Sequence, residues 1–292
     1  MKPLVSIILI NYNGLNDTID CIESIKANNY DNFQIIVVDN ASPDGSGITL
    51  LKKYGNDEKV KIICNKENAG FSAGNNIGIK YAVSQNADFV MLLNNDTVVE
   101  PDFLSNMLSK ISSPSEKIMY TGKIKYYFEP DKIWYAGGYY NYLKGTASHR
   151  GVNQKDTAQF DNESELGFIC GCYIFMSMET FYTVGFMPEE YFLYSEDLAY
   201  SIIAKTAGVK LKYIPDSVIY HKVSASTSKI SQLSQYYIIR NRFYIIKKYH
   251  KGFNKFTAYL YSFMWAIKNI IKKRFKLKIF LKALHDYKNM GK

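Results

Sequence analysis

The chain has 292 residues, 47% of them hydrophobic, which suits one large or two small globular domains and excludes a disordered or low-complexity protein. Its net charge of +9 is a property of one end: residues 231–292 hold fifteen Lys or Arg against one acid, Asp286, while the remainder carries more acids than bases. The four cysteines, Cys21, Cys64, Cys170 and Cys172, make no CxxC pair and join no His cluster at zinc spacing, so neither a disulfide scaffold nor a zinc module is indicated and a reduced, cytosolic chain is expected.

The apolar run Leu4 to Ile10 is too short for a signal-peptide core with its cleavage site and reads as a buried first strand. Two more short β-rich runs follow, Gln34 to Asp39 and Val60 to Cys64, with helix-like stretches between them. From Leu15 to Ala27, Leu15, Ile19, Ile22 and Ile25 share one helical face, and Ser42 to Gly47 supplies turn residues. A helical stretch from Asn75 to Ser84 leads into a fourth strand, Phe89 to Leu93. This rhythm predicts an α/β fold with a mainly parallel central sheet, whose ligands meet the loops at the carboxyl ends of the strands.

From about Tyr120 to Ser164 the pattern loosens into Tyr- and Gly-rich, strand-like pieces such as Trp134 to Tyr142, consistent with an acceptor-side insertion. Periodicity returns with a central strand at Phe168 to Met176, helices near Glu179 and from Asp197, and strands at Lys210 to Ile214 and Val218 to His221. The expected organisation is one catalytic domain over residues 1–230, followed by basic C-terminal helices over 231–292.

Polar residues at strand ends are the candidates for chemistry. The second strand ends in VVDNAS, where Asp39 and Asn40 can meet a base or ribose, or else cap a turn. The fourth ends in LLNNDT, delivering Asn94, Asn95 and Asp96 together, oxygen ligands suited to Mg²⁺ or Mn²⁺ or to a simple turn. Glu196 and Asp197 follow an aromatic run at a helix start, where the helix N-terminus favours an ionised carboxylate and where an N-cap would use the same residues. His221 closes the last predicted strand ahead of a small-residue loop, SASTS, and could complete a metal site or be structural.

In this order the blocks VSIILINYNG, VVDNAS, NKENAGFSAGNNIGI, LLNNDT, FICGCYIFM, GFMPEEYFLYSEDL and YIPDSVIYH resemble the family 2 glycosyltransferases, especially the rhamnosyltransferase-like branch of bacterial surface polysaccharide synthesis. The resemblance covers about Pro3 to Thr227 and implies a nucleotide-binding, Rossmann-like glycosyltransferase A fold and an inverting reaction. By it, Asp197 is the catalytic base with Glu196 in support, Asp96 and His221 hold a divalent cation, and Asn11, Asp39, Asn40, Gly70, Phe71, Asn75, Asn94 and Asn95 lie on the donor side. Asn94 stands where the DxD form often has Asp, and Ala199 and Ile203 replace an acid and an Arg common after the ED pair. The donor expected first is dTDP-rhamnose, with UDP-hexose or UDP-galactofuranose as alternatives, and a lipid-linked oligosaccharide is the expected acceptor.

The tail extends this reading. Leu260, Phe263, Ile267, Ile270, Leu277, Leu281 and Leu284 recur with Lys268, Lys272, Lys273, Lys276 and Lys282 among them, as in an interfacial helix over Phe256 to Leu284. Attachment to the inner face of a membrane is expected, a packed helix or a second subunit being the alternative. Arg240 and Arg242, in the run YYIIRNRFYII, need anionic company: donor phosphate, which places Arg240 on the donor side, lipid phosphate, or acids of the body. Nucleic acid is not an expected partner, because no zinc finger, RNP block or helix-turn-helix accompanies the basic tail. A dehydrogenase would carry GxGxxG where this chain has NYNG, and a non-catalytic scaffold would be expected to have lost Asp96 or Asp197.

Overall fold

The computed structural model describes residues 2–223 and 231–291; the SASTS run and the expected domain boundary at 230 lie outside them. The first half follows the predicted rhythm: β1 Val5–Asn11, α1 Leu15–Lys26, β2 Phe33–Asp39, α2 Ser46–Tyr54, β3 Val60–Cys64, α3 Gly70–Ser84 and β4 Phe89–Asn94. These strands read as unbroken apolar runs because both faces are covered. Ile7 and Leu9 point into one core with Ile22 and Ile25 of α1, and Ile8 points into the other with Ile79 of α3. Each such side chain, fully buried, contributes ~1.5–3 kcal/mol.

After β4 the chain makes β5 Thr97–Val99, α4 Phe103–Ser109 and β6 Ile118–Tyr126, then β7 Ile133–Tyr135, the hairpin β8 Gly138–Asn141 with β9 Thr146–His149, and β10 Ser164–Glu165. It returns through β11 Tyr173–Ser177, α5 Met178–Val184, a 3₁₀ turn at Glu189–Tyr191, α6 Glu196–Thr206 and β12 Lys210–His221. The sheet order is β10-β12-β6-β11-β4-β1-β2-β3.

The sheet is mixed, which corrects the expectation of a mainly parallel one. β3, β2, β1 and β4 are parallel neighbours, as are β6 and β12, but β11 runs antiparallel between β4 and β6. An apolar strand buried on both faces reads the same in either direction, so the sequence pattern could not reveal the reversal. The expected strand Phe168 to Met176 begins only at Tyr173, and the reversal puts its preceding loop, 168–172, at the carboxyl edge of β4, where the Asn94 amide donates to the Cys172 carbonyl at 3.0 Å. The two strands expected in residues 210–221 are one, interrupted by a bulge between Ile214 and Val218. β6 falls at the start of the loose strand-like stretch read from about Tyr120, without having been singled out, and α4 was not anticipated.

Three helices follow: α7 Gln232–Tyr249, α8 Gly252–Ile271 and α9 Leu277–Asn289. The single amphipathic helix expected over residues 256–284 is therefore two, broken where Lys273 takes a positive φ of 56°. α7 belongs to the main core, with Ile239, Phe243, Tyr244 and Ile245 buried in the same cluster as β1 and β4. α8 buries only the small residues Ala258, Ser262 and Ala266, and its opposite side leaves Phe253, Phe256, Leu260, Met264, Ile267 and Ile271 exposed.

Candidate active site

Parallel register sets the first part of the site: Asn11 lies beside Asp39, and Ile10 beside Asn94, so three strand ends open on one edge. There a cleft of about 650 Å³ is lined by Tyr12, Asn40, Phe71, Asn94, Asn95 and Asp96, with Gly70 at its rim. Beneath it, Asn11 Nδ2 donates to Asp39 Oδ1 at 2.6 Å and to Ser46 Oγ at 2.8 Å, while the Ser42 amide and hydroxyl donate to Asp39 at 3.0 and 2.6 Å. Asn11 and Asp39 therefore do not line the cleft. Asp39 is 3% exposed and its carboxylate shapes the Ser42 loop.

Gly70 opens α3 at φ 85°, and a Cβ there would stand 2.6 Å from the Phe192 carbonyl, so only glycine lets α3 meet that loop. Phe71 then donates its amide to Phe192 O at 2.9 Å and turns its ring into the cleft. Asn75, expected on the donor side, spends its amide on Phe71 O one turn back at 3.0 Å and does not line the cleft. Its neighbour Asn76, which was not singled out, holds Met187 and Glu189 through donations of 2.9 and 2.8 Å.

At the end of β4 the antiparallel pairing of His221 with Thr97 sets the His221 ring beside Asp96, with Nε2 3.1 Å from Oδ1. Burial alone would raise the Asp96 carboxyl, but the His221 hydrogen bond and charge, with Lys222 beyond, hold it below the ordinary carboxylate value. Lys222 is itself gripped by Asp17 and Asp20 of α1 at 2.8 and 2.6 Å. His221 Nδ1 is buried without a partner among the described residues, and its ring packs edge-on against Trp134. Asp96 and His221 fit a Mg²⁺ or Mn²⁺ ion that takes one or two protein ligands and completes its shell with phosphate and water. Among the described residues no third His, Cys, Asp or Glu joins them.

Asp197 comes from the first turn of α6. Its Oδ2 accepts the Gly171 amide at 3.0 Å and its Oδ1 the Leu198 amide at 2.7 Å. A Cβ on Gly171 would lie 3.3 Å from the Phe71 ring and 3.4 Å from Asp197 Cβ, so Gly171 marks where the donor cleft and Asp197 come together. The helix N-terminus was expected to favour the ionised form; burial outweighs it and raises the Asp197 carboxyl despite both amides. Glu196 is pushed up to about 8 by burial and then by the charge of Asp197, and its Oε2 has no partner among the described residues. Both carboxyls of the pair are therefore raised by burial, Glu196 further by the charge of its neighbour.

The loop before α6 is strained, with Phe192, Tyr194 and Ser195 at φ of 62°, 67° and 70°. α7 holds it in place. Asn241, fully buried, donates to the carbonyls of Tyr191, Leu193 and Tyr194 at 3.0, 2.8 and 2.7 Å, and Arg240 donates to those of Glu190 and Tyr191 at 3.2 and 2.8 Å. Arg240 was expected at the donor; it does not line the cleft and takes main-chain carbonyls instead of an anion. The sequence did carry a signal for Asn241, a polar residue interrupting an apolar helical stripe, but nothing local identifies the loop it serves.

A mixed α/β sheet with β11 reversed between β4 and β6, a strand-end cleft and a buried carboxylate pair have the arrangement of a glycosyltransferase A fold. The sequence profile of glycosyl transferase family 2 matches residues 6–185, and the chain belongs to that family. It is a glycosyltransferase. The dTDP-rhamnosyl transferase RfbF of Shigella flexneri is 25% identical over 262 residues, covering 86% of this chain and 82% of that protein. Among solved structures, GalNAc-T7 with UDP, GalNAc and Mn²⁺ superposes with a TM-score of 0.62 at 14% identity, over 82% of this chain and 51% of that one. S. aureus TarS residues 1–349 gives 0.61 at 17% identity, over 97% and 79%. This chain thus spans about half of GalNAc-T7.

Proposed function

We propose that this chain transfers a sugar, with inversion, from a pyrimidine nucleoside-diphosphate donor in the strand-end cleft to a hydroxyl presented at Asp197. The observation that carries this is the convergence at Gly171: Phe71, a wall of the donor cleft, and Asp197 both approach the same glycine. In one in-line displacement the acceptor oxygen bonds to the anomeric carbon, the bond to the diphosphate oxygen breaks, and the acceptor proton passes to Asp197. Gly171 and Leu198 amides hold that carboxylate in place, and burial raises the neighbouring Glu196 carboxyl, which disfavours a second charge there.

Asn40, Gly70, Phe71, Asn94 and Asn95 would contact the donor, and Tyr12 offers its base an exposed ring at the rim. Asn11, Asp39, Asn75 and Arg240 would act behind them, shaping the loops. Asp96 and His221 would hold the divalent cation, which when bound neutralises charge on the departing diphosphate. The UDP-bound relatives GalNAc-T7 and TarS support a UDP-linked donor, and the likeness to RfbF supports dTDP-rhamnose. Thermal stabilisation by UDP and dTDP, each with and without Mn²⁺, tests the donor assignment: a metal-dependent rise with either nucleotide is expected, and no rise with any nucleotide would return the chain to the scaffold reading.

Residues 231–292 would also bring this enzyme to a lipid-linked acceptor. The exposed apolar face of α8, flanked by Lys272, Lys273, Arg274, Lys276, Lys278 and Lys282, suits the headgroup region of an anionic bilayer such as the inner face of a cell membrane. Among the described residues no helix is long and apolar enough to cross a membrane. Leu260→Glu with Ile267→Glu should abolish sedimentation with phosphatidylglycerol vesicles. If that double variant sediments unchanged but a concentration-dependent dimer becomes monomeric, the face is a subunit contact.

A further inference from the structure

A second, smaller cavity of about 210 Å³ has Asp197 in its lining and shares no lining residue with the donor cleft. The turn of the β8–β9 hairpin, Phe168, the start of α6 and α7 form its walls. Its lining is apolar or small apart from Ser195, Thr146 and two charged residues, Asp197 and Arg242, and these two make no ion pair with each other. Arg242 is a partly buried cation with no carboxylate partner among the described residues. Its Nε donates to Ser262 Oγ at 2.8 Å and one terminal nitrogen to the Lys144 carbonyl at 3.0 Å, and the guanidinium lies over the Trp265 ring at 4.6 Å. Among the described residues no Asp or Glu pairs with it. Burial pulls the guanidinium down to about 10, as expected of a desolvated cation lacking an anion. Two main-chain and hydroxyl acceptors leave guanidinium donors unused, and a desolvated Arg is a poor choice where packing alone is needed.

We propose that this cavity seats the acceptor sugar and that Arg242 binds an anionic substituent, phosphate or carboxylate, carried by that sugar close to the hydroxyl that Asp197 deprotonates. The proposal rests on the assignment of Asp197 as the base. It narrows the acceptor from any glycan to one that is charged at or beside the sugar being extended. It also gives the β8–β9 hairpin a use: the hairpin turn closes the cavity over the sugar, and its Lys144 carbonyl aims the guanidinium.

The test uses the full chain with Trp134→Phe, which leaves Trp265, in contact with Arg242, as the one tryptophan. Glucose, glucose 1-phosphate and glucuronate are titrated while Trp265 fluorescence is followed. A charged sugar should bind at least about tenfold tighter than glucose, the value of one charge-assisted hydrogen-bond pair, and should weaken with added salt. Arg242→Gln should remove the preference and Arg242→Lys retain part of it, with the nucleotide-induced thermal shift unchanged in both. A response to glucose 1-phosphate alone identifies phosphate as the substituent, and to glucuronate alone carboxylate. Equal binding of glucose, no response to either charged sugar, or a preference that survives Arg242→Gln would overturn the proposal. Should Arg242→Gln fail to fold, the comparison of charged with neutral sugar in the parent chain still decides. Loss of the nucleotide shift in the parent chain is a separate result that counts against the donor cleft.

Discussion

The two sides of the candidate site are built in different ways. On the donor side, parallel register aligns the ends of β1, β2 and β4, and β4 alone delivers Asn94, Asn95 and Asp96 in succession at that edge. On the acceptor side, Asp197 opens α6 just after a loop with three non-glycine residues at positive φ; Gly171, ahead of β11, donates to Asp197 and Asn241 of α7 ties down the loop. Strand-end geometry places ligands at little conformational cost, whereas a strained loop next to the base depends on distant parts of the chain to keep its shape.

The largest break between the sides should come from Asp197→Asn. Turnover is expected to fall by roughly 10²–10⁴-fold with nucleotide affinity intact, because the base acts in the transition state and does not touch the donor's diphosphate. Substantial remaining turnover in a steady-state assay of nucleotide release would sink the assignment.

Asn241→Leu probes the same side from α7. It leaves the Tyr191, Leu193 and Tyr194 carbonyls without the donor they share, the first of these bonds buried and the others partly so, and a loss of about 1–3 kcal/mol is expected in chemical denaturation, with turnover falling while the nucleotide shift persists. If turnover is normal at a temperature where the variant is folded, the loop holds its shape without the clamp.

Glu196→Gln sharpens the comparison through pH. Glu196 is held at about 8 against an ordinary 4.5, so as pH rises through that window the unfolded chain releases this proton while the folded chain keeps it, and the folded state loses stability. The thermal midpoint of the parent chain should therefore decline from mildly acid to mildly alkaline pH more steeply than that of Glu196→Gln. The raised Asp197 carboxyl predicts in addition an acid limb of the activity profile above the ordinary carboxylate range. Parallel stability profiles for the two proteins would remove the buried-proton account.

What the sequence disclosed follows the same division. β1, β2, β3 and β4 were legible as apolar runs ending in polar residues, and the ED pair was legible at a helix start. The reversal of β11 was not, because direction leaves no mark on a strand buried on both faces. Nor was the service of Arg240 and Asn241 to a loop some fifty residues earlier, because that link exists only once α7 packs on it. β6 escaped because Thr121, Gly122 and Lys123 interrupt its apolar run; Lys123 is buried there against Asp156 and Asp161. Asp39 and Asn75 show the converse: each lies at the strand end or helix where the sequence put it, yet the hydrogen bonds of its side chain are spent on the protein itself.

The most direct test of a site divided in this way is thermal stabilisation by UDP and dTDP, with and without Mn²⁺, of the parent chain, Asp96→Asn and Asp197→Asn side by side. A metal-dependent rise shared by the parent and Asp197→Asn but lost in Asp96→Asn is the predicted result. A rise that survives Asp96→Asn, or that vanishes in a folded Asp197→Asn, would contradict the separation of donor cleft from base.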